Sequence, residues 1–207
     1  MTFSVILYFK IEIRRLCLNY KNDFFRLSKI EKLDTYNGKN VLIGNSLVKG
    51  FKPVLDERIG AIGMSGETIN GITELIDADK ISPTKSIAIW IGINDVLFGN
   101  KIERISRDYN KLFLAVKNLN IRVIVLAIPK VKLKKDGFFV KNNETNNRIE
   151  IINIILEVYC QREGFFFLEL EEINNLHGNF RINDGVHLNV DAYNIVNQKI
   201  ISKIDSL

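Results

Sequence analysis

Cysteine and histidine are scarce in this chain, with two of each among 207 residues. Cys17 and Cys160 lie far apart, which excludes a disulfide framework and a cysteine metal motif. Without clustered histidines the sequence also lacks the ligand set of a transition-metal site. Buried free thiols in a reducing compartment are expected. Long apolar runs are missing too. Phe3 to Phe9 is apolar, but Lys10, Glu12, Arg14 and Arg15 soon interrupt it. That run is too short to span a bilayer, and it lacks the basic start and small-residue cleavage site of a secretion signal. The expected location is therefore cytoplasmic, with no stable membrane insertion. A strong charge bias is absent as well, the net charge being +5. Only Lys130, Lys132, Lys134 and Lys135 cluster, and a solvated loop accounts for them. No basic stripe interleaved with aromatics marks a nucleic-acid partner. No internal repeat or linker divides the chain, and nothing in it specifies an oligomeric state.

What is present is an alternation of apolar runs with helical stripes. Apolar residues make up 46% and charged residues 26%, ordinary for one globular core. Tyr20, Phe24, Leu27 and Ile30 suggest an amphipathic helix, so residues 1–35 are expected to form a helical extension packed on a single domain of residues 36–207. Val41 to Gly44 reads as the first strand, and Asp56 to Met64 as a weaker second one. Thr68 to Ile76 reads as a helix, Ser86 to Ile91 as strand three. Ile102, Ile105, Tyr109, Leu112, Phe113 and Val116 recur at helical steps. Arg122 to Ile128 is a fourth strand, stopped by Pro129, and Lys130 to Asn143 a polar loop. Ile152, Ile155 and Tyr159 mark a long helix ended by Gly164. Phe165 to Leu170 is strand five, Asn174 to Asn183 a polar loop, and Val190 to Ile204 a helix with Asn189 as N-cap. Five alternations predict a three-layer α/β/α fold with a parallel sheet. The commonest such order is the flavodoxin-like 2-1-3-4-5, whose strands one and three flank the switch point.

Four segments leaving the strands carry groups suited to acyl transfer. Gly44-Asn45-Ser46 follows strand one, Ser65-Gly66-Glu67-Thr68 strand two, and Gly92-Ile93-Asn94-Asp95 strand three. Asp184-Gly185-Val186-His187 follows strand five and its loop. A serine hydroxyl is a weak nucleophile and needs a base within about 3 Å. His187 is the candidate base. Asp184, three residues earlier, is placed to hold the imidazole in the right tautomer. The backbone N–H groups of Ser46 and Gly66 and the amide of Asn94 are candidate oxyanion donors.

Together these segments resemble the blocks of the SGNH hydrolases, also called GDSL-type esterases. Gly44 and Ser46 match the Gly-Asp-Ser block, with Asn45 in place of the aspartate. Ser65-Gly66-Glu67-Thr68 differs from Ser-Gly-Asp-Thr by one methylene. Gly92, Asn94 and Asp95 complete Gly-x-Asn-Asp, and Asp184 and His187 complete Asp-x-x-His. The likeness covers roughly Asn40 to Ala192. It implies a flavodoxin-like sheet, no metal or other cofactor, and hydrolysis of esters or thioesters through an acyl-enzyme. By family analogy the expected substrate is a small acyl ester, with O-acetyl groups on carbohydrate first and lysophospholipids or thioesters next. The loops 130–143 and 174–183 are expected to shape the pocket.

Each segment alone has a plainer reading. Ser46 alone reads as a helix cap, Asn94-Asp95 and Asp184-Gly185 as turns, and His187 as a structural histidine. Their order on one α/β pattern favours chemistry. Gly63-Met64-Ser65 begins like a Gly-x-Ser-x-Gly elbow, but Glu67 stands where the closing glycine belongs. His177 has no carboxylate at similar spacing and reads as a loop residue. Two rival functions use the same fold: acyl transfer to a sugar hydroxyl, and a non-catalytic binding module.

Overall fold

The computed structural model describes residues 40–51, 56–77, 85–133, 142–175 and 180–206. The expected N-terminal extension, Cys17, His177, Lys134 and Lys135 lie outside them. In chain order the elements are β1 (Asn40–Gly44), α1 (Ser46–Lys49), β2 (Ile59–Gly63), α2 (Ile69–Asp77), β3 (Ser86–Trp90), α3 (Ile93–Leu97) and α4 (Ile102–Lys117). Then come β4 (Arg122–Leu126), α5 (Asn142–Glu163), β5 (Phe166–Leu168), α6 (Glu171–Asn175) and α7 (Val190–Asp205). The five strands are all parallel, in the order β2-β1-β3-β4-β5. This is the order the sequence predicts.

The central strands are apolar without alternation because helices cover both faces of the sheet. Val41, Leu42, Ile43, Ile87, Ile89, Val123, Ile124 and Val125 are all buried. On α4, Ile105, Tyr109, Leu112, Phe113 and Val116 form the buried stripe. Phe113 is fully buried and meets the rings of Tyr109, Tyr159 and Phe165. Truncating it to alanine should cost about 3–5 kcal/mol. Elsewhere, α7 brings Tyr193 edge-on against Phe51 and Trp90. Trp90 sits at the end of β3 and donates from Nε1 to the carbonyl of Ala127 at 3.0 Å.

Three short helices, α1, α3 and α6, have too few residues to show a periodic stripe, so the sequence reading passed over them. α6 takes in Asn174, assigned to a loop from sequence, and α5 starts at Asn142, inside the loop expected to run to Asn143. β5 is shorter than its apolar run, because only Phe166, Phe167 and Leu168 find partners on β4.

Gly44 shows how tightly β1 ends. A Cβ there would lie 1.9 Å from the carbonyl oxygen of Trp90. Only glycine lets the chain turn out of β1 against the end of β3. The residue two positions on is Ser46.

Candidate active site

Ser46 is the first residue of α1. The cap of that helix is Asn45, whose side-chain oxygen accepts the Leu47 N–H at 2.9 Å. Capping therefore does not occupy the Ser46 hydroxyl. Asn45 is fully buried, and its Nδ2 has no hydrogen-bond partner. A buried donor without a partner is a cost. The Ser46 N–H lies in the first turn, where a helix leaves its N–H groups without intrahelical partners.

The histidine arrives from the far end of the chain on a hairpin-like turn. Asn189 N donates to Phe180 O at 3.0 Å, and Ile182 N to His187 O at 2.9 Å. Arg181 and Leu188 form an antiparallel bridge. At the tip, Asp184 Oδ1 accepts the backbone N–H groups of Val186 and His187, each at 2.9 Å. The local turn of Asp184-Gly185 is thus real, and it aims the second carboxylate oxygen at the ring. Oδ2 lies 2.5 Å from His187 Nδ1, and His187 Nε2 lies 2.8 Å from Ser46 Oγ. Partial burial pushes the Asp184 carboxyl up. The hydrogen bonds from the His187 ring and from the backbone of His187 and Val186 outweigh it, and the net direction is below the usual value. An ionised Asp184 is an acceptor only, so Nδ1 donates to it, and in the neutral imidazole the nitrogen facing Ser46, Nε2, is then the one with the lone pair.

The other two expected donors come from β2 and β3. Gly66 takes φ +75° in the turn before α2. Asn94 sits in α3, and its Nδ2 donates to the carbonyl of Glu67 at 2.8 Å. That bond uses one of its two N–H groups. The exits of β2 and β3 are tied a second time. Asp95 Oδ2 accepts the N–H of Ile69, the first residue of α2, at 3.2 Å. Asp95 is buried, and burial pushes its carboxyl up to about 7. This cross-element cap was missed in the sequence, where Asp95 reads only as a motif partner of Asn94.

Among the described residues no imidazole is bonded to Ser65, whose hydroxyl accepts from Lys49 Nζ at 3.3 Å. Cys160 is buried, and burial raises its thiol to about 12. Lys130 pairs with Glu150. Among the described residues no group of three His, Cys, Asp or Glu side chains is placed to hold a metal, and no helix is long and apolar enough to cross a membrane. Arg181 was not singled out by sequence. Burial lowers its guanidinium to about 10, and its Nη1 is buried without a hydrogen-bond partner. Nothing in the sequence pattern around it signals that burial.

Comparison with known proteins identifies the family and the fold. The profile of the GDSL-like Lipase/Acylhydrolase family matches residues 34–195. No curated protein matches the sequence significantly. Among solved structures, a protein from Streptococcus pneumonia described as a candidate platelet activating factor is 14% identical, with a TM-score of 0.79 over 95% of this chain and 99% of its own. The aryl esterase of M. smegmatis is 16% identical, with a TM-score of 0.68 over 82% of this chain and 100% of its own. A carbohydrate acetylesterase from Sinorhizobium meliloti is 17% identical, with a TM-score of 0.66 over 81% of this chain and 99% of its own. At these identities the likeness speaks for the fold.

Proposed function

The chain belongs to the GDSL-like lipase/acylhydrolase family, the SGNH-type ester hydrolases, and from that premise we propose that it is a serine esterase acting on small acyl esters, with O-acetyl groups on carbohydrate as the first candidate. The observation that carries the reading is the unbroken hydrogen-bonded row from Asp184 through His187 to Ser46. In this mechanism Ser46 Oγ attacks the acyl carbon while His187 Nε2 takes its proton. The carbonyl π pair moves onto oxygen, and Asp184 stabilises the imidazolium from the Nδ1 side. The backbone N–H groups of Ser46 and Gly66, with the second N–H of Asn94, hold the oxyanion. As the intermediate collapses, the alcohol leaves with the proton from Nε2. Water then repeats the attack on the acyl-enzyme with His187 as base, and the carboxylic acid departs.

The carbohydrate preference is supported by the Sinorhizobium meliloti neighbour, a carbohydrate acetylesterase, whereas the M. smegmatis neighbour, an aryl esterase, supports ester hydrolysis in general. The test is turnover of p-nitrophenyl acetate and of an acetylated-sugar panel by the wild type and by Ser46→Ala, with fluorophosphonate labelling in parallel. Turnover should fall on the order of 10⁶-fold, as when another serine hydrolase loses its nucleophile. Unchanged turnover in Ser46→Ala, or labelling at another serine, overturns the reading.

A further inference from the structure

After β4 the chain leaves the sheet, yet most of its backbone groups stay paired. Asn153 on α5 accepts from Ile128 N at 2.8 Å and donates to Ile128 O at 2.9 Å. Asn146 does the same for Val131, at 2.8 and 2.9 Å. Asn142 does it for Leu133, at 2.8 Å both ways. Three carboxamides thus replace a neighbouring strand, each closing a two-point pair with one residue of the segment.

The fit follows from two repeats. On a helix, positions 142, 146 and 153 fall within about 40° of one face, and the rise from first to last is ~16 Å. Residues 128–133 in extended form cover ~16 Å. Segment and helix run in opposite directions in register. Asparagine is a poor residue for helix interiors, so Asn146 and Asn153, both inside α5, carry a local cost. The bonds they make offset it by satisfying backbone groups of Ile128 and Val131, both buried.

The residues between these rungs face the other way. Lys130 O accepts from Arg181 Nε at 3.0 Å and Nη2 at 2.5 Å. Lys130 N donates to Asn174 Oδ1 at 2.9 Å. Lys132 N donates to Gly185 O at 2.8 Å, and a Cβ on Gly185 would strike Lys132 O at 2.0 Å. Gly185 lies between Asp184 and His187. One side of the segment is therefore keyed to α5, and the other holds the turn that carries the proposed base.

We infer that Asn142, Asn146 and Asn153 are positioning residues that set the placement of His187 over Ser46 through the segment 128–133. This rests on the esterase reading for its kinetic consequence, but its geometric content stands apart from it. The experiment compares Asn146→Ala and Asn142→Ala with Ile152→Val, a core change on the same helix. Four quantities are read: kcat and KM on p-nitrophenyl acetate, the Tm, and the downfield proton NMR signal of His187 Nδ1–H. Asn146→Ala should lower kcat on the order of tenfold with KM within twofold, the signature of a displaced reacting group. Its Nδ1–H signal should shift or broaden. Ile152→Val should lose Tm yet keep both kcat and the signal. If neither asparagine variant moves the signal relative to wild type, or if Ile152→Val moves it equally, the inference fails. A wild type without esterase activity whose signal still answers to Asn146→Ala would sink the proposed function and leave the positioning role standing.

Discussion

Ser46, Gly66 and Asn94 leave three neighbouring strands within a few residues of their ends, whereas Asp184 and His187 arrive far beyond β5 on a turn outside the sheet. The first group is supported by buried structure: Asn45 is 0% and Asp95 2% exposed. In the second, the side chains of His187 and Asp184 are 35% and 45% exposed. Parallel-strand geometry places the first group, because register on β1, β2 and β3 already determines where each exit opens. No sheet ladder reaches the second. What holds it are the backbone bonds of its own hairpin-like turn, the bond from Lys132 N to Gly185 O, and the side chains of Arg181 and Asp184. A site can thus join a half held by the sheet to a half held by hydrogen bonds. The two halves should then fail in different ways.

The largest separation is expected from Asp184→Asn. An asparagine keeps an oxygen for the Val186 and His187 backbone but sets an NH₂ against Nδ1, favouring the wrong tautomer. The loss in kcat should be on the order of 10⁴. The folded-state carboxyl is held below its unfolded value, so its stabilising contribution is present above about pH 4 and is lost as pH falls through the lowered value. Asp184→Asn should therefore lower Tm near neutrality and shrink the acid dependence of Tm. A kcat within tenfold of wild type would remove Asp184 from the mechanism.

Asn94→Ala tests the sheet-held half. Losing one oxyanion donor should cost roughly 10²–10³ in kcat with KM little changed. The lost bond to Glu67 O should also cost about 1 kcal/mol of stability, read from denaturant midpoints. Equal losses in kcat/KM carried by KM alone would assign Asn94 to substrate binding.

In both halves the sequence discloses local features and hides the contacts between them. Strand order, the α4 stripe and the Asn189 cap were readable because apolar periodicity and capping chemistry are local. Ser46, Asn94, Asp184 and His187 can be proposed from sequence because each sits in a short motif with a fixed chemical demand, and three of them meet in one hydrogen-bonded row. What was hidden is contact between motifs. The carboxylate of Asp95 caps a helix 26 residues upstream, and Arg181 reaches Lys130 across 51 residues. Neither spacing has a period or a signature. The asparagines of α5 fell partly in an expected loop, since a stripe of amides does not register as an amphipathic face.

Asp95→Asn acts on stability more than on rate. Burial raises the folded carboxyl to about 7, above its unfolded value near ~3.9. The folded chain therefore keeps a proton that the unfolded chain sheds, and stability declines as pH rises from about 4 through 7. An asparagine stays neutral and still offers an oxygen to Ile69 N. The difference in Tm between Asp95→Asn and wild type should thus grow in favour of the variant by several degrees between pH 5 and pH 8. A constant difference across that range would show that Asp95 does not titrate there.

The smallest effect is expected at the residue nearest the nucleophile. Asn45→Asp keeps the oxygen that caps Leu47 and removes the orphaned Nδ2. It also places a carboxylate in a fully buried position, with only the Leu47 N–H known to receive it. These two changes oppose each other: loss of an unsatisfied donor stabilises, and desolvation of a charge costs. Neither touches the row from Asp184 to Ser46, so kcat should stay within about tenfold of wild type while the variant's Tm falls with rising pH as the new carboxyl ionises. A loss in kcat as large as that of Asn94→Ala would mean that the cap of α1 orients the Ser46 N–H toward the oxyanion. The sheet-held half would then depend on a hydrogen bond as much as the other half does.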